Sequence, residues 1–380
     1  MLNDFSDFQI DSFSIKPTLG CNLRCDYCYC HGGAADMLQD CRTMNPEVLH
    51  RLLDSYRQLV CKQSRFVHSD GFLPLVWHGG EPLLAGVEKF QEYFKIEKEF
   101  EDHLSIHNVV QTNLTLLSSA WINFFKFHQV ILGISLDGNA DMHDTHRKKS
   151  DGRGSYEIVI KKLKKIREEK IPFGTIGVVT GKNQMSATTI YNHMKEIGVN
   201  YYDWTPAIFD GEHECVLTNK EYTNFFSGLF DVWMNASDGN CEIKIINDIV
   251  AVMKYEKKTA STCPRILCEF SGRCGNAMSV LPNGDIFPCE CLVNLPRFRL
   301  GNILEQSLED ILEGEKFEYF VREFNDVSPE CMECQWFGIC KGGCLHRRAP
   351  ECVGSAKKDY FCPGRKALFS HIKKRLFHEK

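Results

Sequence analysis

The chain has little charge of either sign to spare. Its 45 lysines and arginines nearly balance 50 aspartates and glutamates, for a formal net charge of −5, and its pI is near 6.3. That leaves no basic stripe for a phosphate backbone, so no nucleic-acid partner is expected. No apolar run is long enough to span a bilayer, so no membrane partner is expected either. The opening residues, Met1-Leu2-Asn3-Asp4-Phe5, have neither the basic n-region nor the apolar core of a secretory signal. Against these absences stands one excess, 19 cysteines. Thiols that are not exported to form disulfides are more often metal ligands, which points to a reducing, anaerobic, cytoplasmic setting. At 380 residues the chain can hold one large domain and a smaller one.

Three of the cysteines form Cys21-Asn22-Leu23-Arg24-Cys25-Asp26-Tyr27-Cys28, a CxxxCxxC run. Phe13 to Thr18, just before it, read as a short strand. Three thiolates on one tight loop suit three corners of a cubic [4Fe–4S] cluster and leave the fourth iron without a protein ligand. A zinc knuckle is the bland alternative, but it wants a fourth ligand at finger-like spacing, and only His31 is near. Cys30 lies two residues beyond the triad as a spectator or decoy ligand.

Strands and helices then alternate. The pattern predicts helices over about 46–65, 86–103, 155–169 and 186–197, with another through Trp121 and Phe125. Asn45 and Pro46 supply an N-cap and a proline at N1 for the first. Strands are expected at 73–77, 107–113, 130–137, 173–180 and 201–208. Six strand–helix units make an α/β fold, a partial (β/α)6 TIM-type barrel with its chemistry at the carboxyl ends of the strands. The second strand runs into His78-Gly79-Gly80-Glu81-Pro82, where glycines allow close approach of backbone to a ligand. His78 either faces a substrate or packs over the cysteine loop.

The last third carries the remaining motif. Cys331, Cys334, Cys340, Cys344 and Cys362 give CxxC-x5-C-x3-C-x17-C, and Cys268, Cys274 and Cys289 stand upstream. A hairpin turning at Asn283-Gly284 presents Cys289. Eight thiolates allow two four-ligand sites, zinc or iron–sulfur, and spacing alone selects neither metal nor partition. The chain thus divides into a barrel at 1–210, an acidic helical bridge at 211–262, a small cysteine-rich domain at 263–362 and a closing helix at 363–380. Cys30, Cys41, Cys61, Cys215, Cys241 and Cys352 have no motif and read as packing or surface residues. Cys263 reads the same way, five residues before Cys268 and placed to compete with it.

CNLRCDYCY, the GGEP stretch from Gly79, Gln111-Thr112-Asn113, and Ser135-Leu136-Asp137-Gly138 followed by His143 and Arg147 together resemble the radical SAM superfamily. The C-terminal cysteines closely resemble its SPASM domain. The resemblance implies three [4Fe–4S] clusters and S-adenosylmethionine as cofactors. Cys21, Cys25 and Cys28 would hold the cluster whose open iron chelates the methionine end of S-adenosylmethionine. The backbone of Gly79 and Gly80 with Glu81 would receive the methionine ammonium, Ser135 the ribose and Arg147 the methionine carboxylate, with Arg153 close by as a competitor. Tyr27 and Asn113 complete the implied cofactor-binding set. Carried over position by position, the first auxiliary cluster takes Cys268, Cys274, Cys289 and Cys344. The second takes Cys331, Cys334, Cys340 and Cys362. These sets interleave along the chain, so each cluster would staple distant loops and make folding metal-dependent.

The implied chemistry is abstraction of a substrate hydrogen by a 5′-deoxyadenosyl radical, with a second electron passed to the nearer auxiliary cluster. A base is useful, because the forming bond releases a proton. Sulfatase maturases carry an aspartate directly after the third auxiliary cysteine, and here that position is Glu290. Its extra methylene displaces the carboxylate by about 1.5 Å. Leu114 replaces the glycine usual after the third strand, so a less tight turn is expected. Anaerobic sulfatase-maturating enzymes are the nearest look-alikes. Because of those two departures, however, the reading leans to a maturase of ribosomally made precursor peptides (a RiPP maturase) that installs an oxidative side-chain crosslink. Formylglycine formation on a sulfatase is the alternative. The expected partners are a precursor peptide or protein substrate and a flavodoxin- or ferredoxin-type electron donor. With the barrel starting near residue 13 and the chain ending soon after Cys362, any leader is expected to bind the barrel, the bridge or a partner protein.

Overall fold

The computed structural model describes residues 8–28, 43–183, 185–207, 215–236, 241–254, 266–349 and 357–377. Cys30, His31, Cys41, Cys263 and Cys352 lie outside the described residues. The barrel core is six parallel strands, β1 (Ser12–Thr18), β2 (Phe72–Gly79), β3 (Ser105–Thr112), β4 (Ile131–Ser135), β5 (Phe173–Val179) and β6 (Tyr201–Pro206). Between them run α1 (Pro46–Cys61), α2 (Val87–Lys98), α3 (Ser119–Phe127), α4 (Ala140–His146), α5 (Tyr156–Glu168) and α6 (Ala187–Glu196). The helix expected over 46–65 stops at Cys61, and Gln63 turns into left-handed backbone at φ 53°. Alternation along β2 explains the layering: Leu73, Leu75 and Trp77 are fully buried on the helix side. Trp77 stacks on Tyr93 of α2 with ring centroids 5.2 Å apart.

The sheet does not stop at β1. A two-residue strand, β7 (Glu242–Ile243), extends it beyond β6, and β8 (Ala277–Val280) pairs parallel with β1 from Ser12 opposite Ala277 to Ile15 opposite Val280. β8 hairpins to β9 (Asp285–Phe287) through Asn283-Gly284, with Gly284 at φ 89°, and β9 pairs with β10 (Gly301–Asn302). Among the described residues this makes one open, ten-stranded sheet in the order β10-β9-β8-β1-β2-β3-β4-β5-β6-β7. The cysteine-rich hairpin is therefore the barrel's next strand in space, although more than two hundred residues separate it from β1 in the chain. This joins the two regions by main-chain hydrogen bonds, and because β9 runs back antiparallel with Phe287 opposite Ser279, it returns the chain to the level of Ser14 on β1 just before Cys289.

The bridge holds α7 (Asn219–Asn235), opened by a reciprocal Thr218–Glu221 capping box. It packs against the C-terminal helix Cys362–Phe377, and Tyr222 stacks on Phe361 at 4.6 Å. No helix among the described residues is long and apolar enough to cross a membrane.

Candidate active site

The cysteine loop leaves β1 and is held by its neighbours' backbones. Arg24 N–H donates to the Lys148 carbonyl at 2.7 Å, and Leu23 bridges Lys149. Gly80 N–H donates to the Thr18 carbonyl at 3.1 Å and Glu81 N–H to that of Gly20 at 2.8 Å. The two strand ends touch so closely that a Cβ on Gly79 would stand 2.3 Å from the Thr18 oxygen, and one on Gly80 2.2 Å from that of Gly20. Only glycine fits either position. Burial pushes the Cys25 thiol up to about 11 despite Arg147 nearby, so a metal must displace its proton to bind.

A cavity of about 250 Å³ opens above this loop. Its wall includes Cys21, Cys25, Cys28, Tyr27, Gly79, Gly80, Asn113, Ser135 and Arg147, which is the expected cofactor set without Glu81. Asn113 donates to Asn22 at 3.0 Å and stands 3.9 Å from the Cys21 sulfur, and Gln111 donates to the Ser135 hydroxyl at 3.1 Å. Glu81 stands behind the wall, fully buried. Its carboxylate accepts from Leu83 N–H at 3.1 Å, Thr112 Oγ1 at 2.7 Å and Asn113 N–H at 2.8 Å. Burial raises its carboxyl to about 7 against those three donors. Here Glu81 joins the ends of β2 and β3 and thereby sets Asn113.

Buried Asp137 organises the opposite wall. It accepts from Tyr27 Oη at 2.5 Å, from the Arg147 guanidinium at 3.0 Å and from Val178 N–H at 2.8 Å. Arg147 Cζ lies 5.5 Å from the centre of the Tyr27 ring. Arg147 Nε is buried and has no hydrogen-bond partner among the described residues. An orphaned cationic N–H beside three thiols fits a carboxylate-bearing ligand held at the same time by an iron. Arg153, the competitor, is on the surface and paired with Asp151 at 2.6 Å.

Glu290 reaches back to β1. Its carboxylate pairs with Lys16, which is fully buried, and accepts from Ser14 at 2.6 Å and Ser279 at 3.2 Å. His78 Nδ1 stands 3.6 Å away and accepts the Gly79 N–H at 2.7 Å. Burial works to raise the Glu290 carboxyl, but Lys16, with the Ser14 hydroxyl, outweighs it and holds it well below the usual carboxylate range. Burial lowers His78 and favours the neutral ring. His78 lines the cavity together with Cys21, Cys25 and Cys28, a position that both of its readings share.

Two further groups of thiols lie beyond. Cys331, Cys334, Cys340 and Cys362 border one hollow together with Arg365, whose Nε is buried without a partner. Cys268, Cys274, Cys289 and Cys344 form the second group, each within electrostatic reach of others in it. Among the described residues no three His, Cys, Asp or Glu side chains close on one point as ligands of a single ion do. Cube corners stand wider apart than that. Cys291 lines the cavity and carried no reading from its spacing, although its separation from Cys289, CxC, was the available signal. Lys16 was also missed, and its signal was a lysine within an apolar strand, between Ile15 and Pro17 and two residues after Ser14.

Residues 15–193 match the radical SAM superfamily, and residues 268–335 match SPASM, an iron–sulfur cluster-binding domain. The chain is a radical SAM–SPASM enzyme. Its radical SAM domain binds a [4Fe–4S] cluster and S-adenosylmethionine, and its SPASM domain binds auxiliary iron–sulfur clusters. The enzyme is 28% identical to the cysteine-type anaerobic sulfatase-maturating enzyme of Clostridium perfringens, over 97% of each chain. It is 26% identical to the serine-type enzyme of Bacteroides thetaiotaomicron, over 93% of this chain and 86% of that one. Native anSMEcpe with bound AdoMet and Cp18Cys peptide superposes with a TM-score of 0.82 at 28% identity, covering 97% of this chain and 98% of that one.

Proposed function

We propose that this radical SAM enzyme oxidises a cysteine or serine of a sulfatase to formylglycine. End-to-end likeness to sulfatase-maturating enzymes of both types carries the reading, one of them solved with a peptide bound. The crosslinking reading gives way to it, because the departures behind that reading lose force. Leu114 takes φ 63°, the left-handed backbone a glycine would take, so the turn is not loosened. Glu290 keeps a carboxylate at the position after Cys289, anchored by Lys16.

The bound cluster and S-adenosylmethionine supply a hydrogen-abstracting radical. Cys21, Cys25 and Cys28 would hold the reactive cluster and Arg147 would receive the methionine carboxylate, with Gly79, Gly80, Ser135, Tyr27 and Asn113 on the same cavity wall. Glu81 acts on the cofactor through the strand ends it ties. Cys268, Cys274, Cys289 and Cys344 hold one auxiliary cluster, and Cys331, Cys334, Cys340 and Cys362 the other. Glu290 receives the substrate proton. A carboxylate held this low is ionised at neutral pH yet a weak acceptor, so the substrate must loosen Lys16 from one oxygen as it enters. A flavodoxin- or ferredoxin-type donor and a reducing cytoplasm complete the proposal.

The test uses the anaerobically reconstituted enzyme with two peptides, one bearing C-x-P-x-R and one S-x-P-x-R. An aldehyde captured by a hydrazide probe, formed together with 5′-deoxyadenosine, supports the proposal. 5′-Deoxyadenosine release with no aldehyde from either peptide sinks it. On the accepted peptide, Glu290→Gln should keep S-adenosylmethionine cleavage and lose most aldehyde, and unchanged aldehyde yield removes its role as base.

A further inference from the structure

One cation of the auxiliary region is buried with a hydrogen-bond donor left over. Arg365 stands in the first turn of the C-terminal helix, three residues after Cys362, so the two side chains leave the same face of that helix. It is 1% exposed. Its Nη1 pairs with the Glu269 carboxylate, and its Nη2 donates to the Glu269 carbonyl at 3.3 Å. Phe270 and Phe369 pack against the guanidinium, with Cζ 4.9 Å and 5.5 Å from their ring centres. These contacts engage both terminal nitrogens and hold the group in place. The Nε–H remains, buried and without a partner among the described residues. A buried charged donor with no acceptor is costly, and native structures rarely keep one. Arg365 borders the hollow whose wall also includes Cys331, Cys334, Cys340 and Cys362. A four-iron cube would bring ligating and bridging sulfurs, all of them acceptors, into that hollow.

We infer that Arg365 donates its Nε–H to a sulfur of the second auxiliary cluster and raises that cluster's reduction potential. The inference rests on the reading of Cys331, Cys334, Cys340 and Cys362 as one cluster site. Reduction adds negative charge to the cube, so a fixed N–H donor stabilises the reduced form more than the oxidised one. Glu269, which fixes the donor, directly follows Cys268 of the other set. The Glu269–Arg365 pair thus ties a ligand-bearing loop of the first auxiliary site to the electronic environment of the second.

Pulsed electron paramagnetic resonance of the reduced holoenzyme, labelled with nitrogen-15 arginine, tests this without any turnover. The wild type should show a nitrogen-15 coupling to a reduced cluster. That coupling should vanish in Arg365→Lys, which keeps a cation beside Glu269 but has no N–H at the Nε position. It should vanish also in Cys334→Ala, which should lose about four of about twelve irons. Arg365→Lys should keep its iron. At a fixed potential its second auxiliary cluster should have a reduced-to-oxidised ratio about tenfold lower, which is a midpoint lower by about 59 mV. Absence of any coupling in the wild type overturns the inference, even where a variant fails to fold. A coupling that survives Arg365→Lys overturns it, as does an unchanged midpoint in that variant. Loss of about four irons from Cys334→Ala with the coupling intact overturns it too. A Cys334→Ala protein that keeps all its iron would instead bring down the reading of these four cysteines as a cluster site, and the inference with it.

Discussion

The reactive and auxiliary regions secure their cysteines by different means. Around Cys21, Cys25 and Cys28 the fixing contacts are main chain on main chain, with Gly79 and Gly80 pressed against Thr18 and Gly20. Side chains there are left to line the cavity, as those of Arg147 and Ser135 do. In the auxiliary region buried charges do the fixing. Glu269 pairs with both Arg347 and Arg365, and Arg347 pairs with Asp359 at 2.8 Å. Asp359 also accepts the backbone N–H of Cys344 at 3.0 Å and of Phe361 at 2.9 Å, and its own carbonyl accepts the Cys362 N–H at 2.8 Å. One residue thus positions a cysteine from each auxiliary set: its carboxylate holds Cys344 and Phe361, next to Cys362, and its main-chain carbonyl holds Cys362 itself. A short loop between adjacent strands can be set by backbone alone. Loops brought together from residues 268 to 362 need long side chains to span them.

The contrast is broken most severely by removing the reactive ligands. Replacing Cys21, Cys25 and Cys28 with alanine should abolish S-adenosylmethionine cleavage and leave a folded protein with about eight of about twelve irons. Loss of all iron would mean the two regions depend on each other for assembly. Asp359→Asn comes next. It leaves Arg347 with one buried acid fewer, and breaking such a pair typically costs about 3–5 kcal/mol. Denaturant unfolding should register that loss, and iron should fall at both auxiliary sites while the reactive site still binds S-adenosylmethionine. Iron loss confined to one auxiliary site would contradict the shared role of Asp359.

Arg147→Gln should leave the iron in place and act at the cavity wall, where it also takes the paired cation from buried Asp137. A hydrogen bond to a charged group contributes about 1.5–3 kcal/mol, so S-adenosylmethionine should bind about ten- to a hundredfold more weakly. Arg153→Ala, on the surface, should bind it normally. Equal weakening in both variants would remove the distinction between the two arginines.

Much of the fold could be read from local pattern, because each of the six barrel strands and its helix carries its own periodicity, and Asn45, Ser118, Asn139 and Ser186 cap α1, α3, α4 and α6. The pairing of β8 with β1 could not. Ala277–Val280 is four residues long, and its sequence says that it is extended, not which edge it joins. For the same reason Glu290 and Lys16 gave no sign of each other across 274 residues. Glu81 was legible as part of a motif, while its turn into the core depended on where Thr112 and Asn113 would lie.

Leu114 gives the smallest test and bears on how much the reactive side relies on backbone. It is a fully buried leucine held at φ 63°, where a side chain costs about 1–2 kcal/mol relative to glycine. Its own N–H donates to Thr112 Oγ1 at 2.9 Å, which fixes the turn that carries Asn113 to the cavity. Leu114→Ala should cost about 2–5 kcal/mol, because the burial is lost and the strain stays. Leu114→Gly loses the same burial and one methyl more, but relieves the strain. Glycine, ordinarily worse than alanine in an ordered segment, should here be more stable than alanine by about 1 kcal/mol, with S-adenosylmethionine affinity closer to wild type. Chemical denaturation of the two variants side by side reads the sign. If alanine proves the more stable, the backbone at Leu114 is not strained, and the close approach of the strand ends must be maintained by side-chain packing, as it is in the auxiliary half.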